Sequence, residues 1–109
     1  MNADAQELSN DLANLDAQIG VWMAKQSDIK QMQYLNESRA LIRLKKARLD
    51  ALISGNSAMS QANVFLWVSS INKGLGDIGG NWRGDPEIAA AIIRITEKSY
   101  SLYMATRDK

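Results

Sequence analysis

Three sets of residues in this 109-residue chain have types and spacings suited to chemistry. The first is Arg39, Arg43 and Lys46, with Lys45 and Arg48 beside them. At helical spacing the three cations share one side, which suits a phosphate backbone or an acidic protein face. Asp50 falls on the same side and no aromatic residue interleaves. A solvated face or an acidic protein partner is therefore expected, with nucleic acid as the alternative partner. The second set is aromatic: Trp67, Trp82, Tyr100 and Tyr103, with Arg83 beside Trp82. These are the residue types enriched at the centres of protein interfaces. Trp67 lies in an apolar run and is expected in the core, and Trp82 at an interface. The third set, Asp77, Asp85, Glu87 and Glu97, carries no acid–base motif. Histidine and cysteine are both absent. That excludes a histidine base, a thiol nucleophile, a disulfide and any metal site built on either residue. A Ser-Lys pair has no supporting pattern. The expectation is a protein that is not an enzyme, with no catalytic residue, metal site or cofactor.

Two motifs overlap a glycine-rich stretch, residues 74–85, which holds five of the seven glycines. Gly74-Leu75-Gly76-Asp77-Ile78-Gly79 matches GxGxxG, but a dinucleotide site needs that motif between a strand and the helix it opens. Here it follows a helical segment and reads as a hinge. Arg83-Gly84-Asp85 spells an adhesion tripeptide, yet Asp85 already has a local role as a helix cap.

The elements that must position these residues are helical. From Ala5, the positions Leu8, Leu12, Leu15, Ile19 and Trp22 follow at spacings of 3, 4, 3, 4 and 3, a coiled-coil-like seam. Gly20 weakens that helix by roughly 1 kcal/mol relative to alanine. The long segment 28–54 places Leu35, Ile42, Leu49 and Ile53 in one sector. Tyr34, Leu41, Leu52 and Leu44 widen it, and Ala40, Ala47 and Ala51 extend it further. An apolar surface this wide suits a helix with two neighbours. Ser27 or Asp28 is the expected cap, and Gly55 the expected stop. The stretch 57–73 is apolar nearly all round, so it is expected to be buried or in an interface. Asp85-Pro86-Glu87 then opens the last helix as cap, first residue and first-turn acid. Ile88, Ala91, Ile92, Ile95 and Leu102 share its inner face, while Arg94, Glu97, Lys98 and Ser101 are expected to face water.

Charge is segregated along the chain. Residues 1–28 carry five acids against one base, and residues 29–54 carry six bases against two acids. Two antiparallel helices would bring those segments together. A single helix over residues 4–53 is the alternative, since neither glycine nor proline breaks the chain near residue 27. The net charge of +1 steers the whole chain to neither nucleic acid nor membrane. No apolar run reaches the roughly 18 residues of a membrane span. The acidic start, MNADAQELSND, does not read as a secretion signal. Cytoplasm, virion and bacterial export all fit.

Two resemblances attach to the C-terminal third. Asp85-Pro86 followed by an apolar helix ending Tyr100-Ser101-Leu102-Tyr103 resembles the turn and second helix of type III secretion needle and inner-rod subunits. It covers about 18 residues with a one-residue offset, and implies helices that polymerise. Trp82-Arg83-Gly84 resembles the Trp-x-Gly turn of small secreted helical-hairpin proteins, which place it near mid-chain between two helices.

The expected fold is therefore all-α, one domain over residues 1–109: a three- to four-helix hairpin or bundle. Its helices fall at about 4–25, 28–54, 57–73 and 86–106, with a glycine-rich elbow before the last. The expected function is non-catalytic protein–protein interaction, as an assembly subunit, adaptor or inhibitor that self-associates, of phage or bacterial secretion type. The alternatives are nucleic-acid binding through Arg39, Arg43 and Lys46, and a needle-, rod- or chaperone-like component.

Overall fold

The computed structural model describes residues 2–25, 27–71 and 85–107. Among these residues there are four helices and no strand: α1 (Asn2–Met23), α2 (Ile29–Ile53), α3 (Gln61–Ser69) and α4 (Pro86–Arg107). Helix α1 packs along α2 and α4, and α3 packs on α2 and α4. The four form a ring with α1 and α3 on one diagonal and α2 and α4 on the other.

The first two helices are a hairpin, not one continuous rod. Helix α1 ends in a turn, with Ala24 donating to the Gly20 carbonyl and Lys25 to that of Trp22. Asp28 then starts α2, its carboxylate accepting from the Lys30 amide at 2.9 Å. The α1 seam points inward as its spacing predicts: Leu8, Leu12, Leu15 and Ile19 are fully buried. They meet Leu35, Ile42 and Leu49 of α2, Val64, Phe65 and Val68 of α3, and Ile88, Ile92 and Ile95 of α4 in one core.

At the end of α2, Gly55 takes φ +81°. This lets the Asn56 amide donate to the Ala51 carbonyl at 2.8 Å and the Gly55 amide to that of Leu52 at 3.2 Å. Both bonds satisfy carbonyls that a helix end otherwise leaves open. The third helix begins at Gln61, later than the apolar pattern from Ser57 implies. Ser57 folds its hydroxyl onto Met59, accepting from the Met59 amide. Ser60 is the true cap, accepting from the Asn63 amide at 3.2 Å. Asp85 caps α4 as expected, accepting from the Glu87 and Ile88 amides.

Nothing lies within 4 Å of a Cβ added at Gly55, so a substitution there meets backbone cost alone. Gly55→Ala is expected to destabilise the fold by about 1–2 kcal/mol, read as a lower midpoint in urea with an unchanged slope.

Candidate functional site

The basic stripe is positioned by the α1–α2 hairpin, and its cations meet acids of the same chain. Arg39 and Arg43 both donate to Asp16, at 2.7 and 2.9 Å. Lys46 pairs with Asp50 at 2.6 Å, and Asp50 also accepts from the buried Ser9 hydroxyl. Burial pushes the Asp16 carboxyl up, but the bonds from Arg39 and Arg43 outweigh it and hold its pKa below the ordinary value. The same balance lowers Asp50, through Lys46 and Ser9. Gly20 serves this clamp, because a Cβ there would stand 3.1 Å from the Arg39 guanidinium. The stripe is thus a partly neutralised seam between two helices. Lys98, expected to face water, instead pairs with Glu7 and Asp11 on α1 at 2.6 and 3.0 Å. Burial alone would lower its pKa, but the two acids raise it.

The aromatic set is divided. Trp67 is half-buried, at the α2–α3 junction. Tyr100 is exposed, and its ring centroid lies 5.8 Å from that of Tyr103, which packs against the core. Trp82, Arg83, Asp77 and the GxGxxG stretch lie outside the described residues. Trp67 and Tyr100 line a groove of about 760 Å³ between α3 and α4, with Met59, Leu66 and Thr96 on its walls. Leu66 and Tyr100 are among the exposed large apolar side chains, as is Ile93 on α4. The open surface of the groove is mainly apolar, with Asn63, Ser69 and Ser70 also on its lining, and Ser70 accepts from the Lys45 ammonium.

Lys45, which the sequence sets beside the basic stripe, departs furthest from a surface position. It is 1% exposed, among the largest fully buried side chains of the described residues. Its ammonium donates to the Trp67 carbonyl at 2.5 Å and to the Ser70 hydroxyl at 3.1 Å, and stands 4.3 Å from the Trp67 ring centroid. It sits at the C-terminal, negative end of α3. A signal was present: counting 3 and 4 from Leu35 through Ser38 and Ile42 lands on Lys45, a seam position. Burial, with no carboxylate partner among the described residues, lowers its pKa to about 8.

Among the described residues no group of three or more acids could hold a metal, and no helix is long and apolar enough to cross a membrane. No family model, curated protein or solved structure matches the chain. The functional reading therefore rests on these surfaces alone.

The buried ammonium sets a pH dependence. Between about 8 and the ordinary 10.5 the unfolded chain binds more protons at Lys45 than the folded one, so stability rises with pH there. A gain of about 1–2 kcal/mol is expected from pH 7.5 to 9.5 in urea titrations. Lys45→Met is expected to flatten that gain and to be neutral or up to ~3 kcal/mol more stable at pH 7. The Trp67 carbonyl keeps Ser70 as a donor in that variant. A large loss of stability would show that the ammonium contacts outweigh its desolvation.

Proposed function

We propose that this protein is a non-catalytic assembly or adaptor protein that works by burying exposed helix faces against other protein chains, its own copies among them. The observation that supports this most directly is the α3–α4 groove with its exposed rim. The core already takes the inward seams of all four helices. Leu66 of α3 and Tyr100 of α4 nonetheless remain exposed. They flank a groove wide enough for apolar side chains of a partner. Single exposed apolar residues are ordinary, whereas a contiguous apolar patch beside a groove is the usual mark of a protein contact. The chain's composition adds to this, since neither histidine nor cysteine is present to carry common catalytic chemistry.

Nucleic-acid binding is the weaker reading on the same geometry. Arg39, Arg43 and Lys46 are each paired with an acid of the chain, and a phosphate would have to compete with those acids.

Leu66→Ser combined with Tyr100→Ser is expected to weaken the hold on a partner in the groove by roughly tenfold or more. Stability should fall by about 1–3 kcal/mol, because each side chain is still about half covered, so both measurements are made on the folded variant. The reading is checked by purifying the untagged chain gently and measuring its mass and any bound protein. A 12.1 kDa species that neither self-associates nor retains a protein overturns it.

A further inference from the structure

Helix α2 carries a second stripe besides its inward seam. Tyr34, Glu37, Leu41, Leu44, Arg48 and Ala51 follow one another at spacings of 3, 4, 3, 4 and 3. Each stands one residue before a seam position, which turns the stripe about 100° away from the core. Tyr34 is 55% and Leu44 47% exposed. Glu37 and Arg48 are also exposed, and Leu41 and Ala51 are half-buried. The described residues of the chain leave this face open.

The stripe is self-complementary when reversed. Outward from its centre the pairs are Leu41 with Leu44, Glu37 with Arg48, and Tyr34 with Ala51. Each pair matches apolar with apolar, acid with base, or large with small. In an antiparallel helix pair the layers match positions in this reversed order. A parallel pair in register would instead stack Glu37 on Glu37 and Arg48 on Arg48. Charge points the same way. Neither Glu37 nor Arg48 forms an ion pair among the described residues, whereas Arg39, Arg43, Lys46 and Lys98 all do. Arg48 lies 6.0 Å from the Trp67 ring centroid and borders a hollow of about 230 Å³ with Met59 and Trp67. A second hollow, of about 350 Å³, opens beside Tyr34 and Glu37 at the other end of the stripe. A two-fold axis between Leu41 and Leu44 sets each hollow against the opposite end of the second copy's stripe.

Resting on the reading of this protein as an interaction module, we propose that α2 pairs antiparallel with α2 of a second copy, about a two-fold axis between Leu41 and Leu44. The contact is isologous and closes as a dimer. Glu37 of each copy meets Arg48 of the other, twice over, and the four leucines form the centre.

Sedimentation equilibrium on four proteins tests this: the native chain, Glu37→Arg, Arg48→Glu, and the double exchange. The native chain is expected to dimerise. Each single variant places like charges opposite each other in two layers and should weaken the dimer roughly tenfold or more. The double exchange should restore it. An equimolar mixture of the two single variants should also associate, because every crossed layer again pairs acid with base. Circular dichroism checks that each variant keeps its helix content. Single variants that dimerise like the native chain, or a mixture that stays monomeric, overturn the α2 pairing and leave the interaction reading standing if a partner still binds the groove. A native chain that is monomeric throughout also overturns the pairing. The interaction reading falls with it only if the groove retains no protein.

Discussion

Everything in this fold depends on turning one three-four apolar seam from each long helix toward a common centre. Burying these aliphatic side chains is the main favourable term available to a chain with no cysteine to form a disulfide staple. Once Leu8, Leu12, Leu15 and Ile19 face inward against Leu35, Ile42 and Leu49, every other face of those helices is fixed. Positions one residue before the seam must turn outward. Tyr34 and Leu44 are exposed for that reason, and their exposure is a consequence of the core rather than a separate accident. The same logic leaves Ile93 and Tyr100, spaced by seven on α4, outside the core.

Charge then follows the packing. The acids of α1 lie against bases on both neighbours: Asp16 takes Arg39 and Arg43 of α2, while Glu7 and Asp11 take Lys98 of α4. Partly exposed pairs of this kind contribute on the order of 1 kcal/mol each. Their value is in orientation, since reversing α1 would separate them. Lys45 departs from the pattern. It occupies a core layer with no acid beside it among the described residues, and is held by the end of α3 and the face of Trp67. A buried cation of this kind is weak support for stability.

Much of this architecture was legible from residue order. The α1 seam, the Gly55 stop, the Asp85-Pro86 start and the antiparallel meeting of acidic and basic segments all appear where their chemistry places them. Those features are local, or need only helical periodicity. The start of α3 was less legible, because Ser57 and Ser60 are equally good caps by type. Only the turn that Ser57 makes with Met59 decides between them. Lys45 was hidden by its charge, which reads as surface even when its spacing reads as seam. The basic stripe was visible, but its partner Asp16 is 23 residues from Arg39, beyond what a local pattern can pair. The candidate contact surfaces were visible only as excess apolar area on α2 and on the segment 57–73. Which part of that area stayed open required the packing.

The most direct test of the central claim, that the open helix faces are contact faces, is the light-scattering mass of the native chain from micromolar to near-millimolar concentration. The expected result is a mass that climbs from 12.1 kDa toward twice that value, or that already exceeds it because a protein partner is bound. A mass fixed at 12.1 kDa across the whole range, with no protein retained, would contradict the claim.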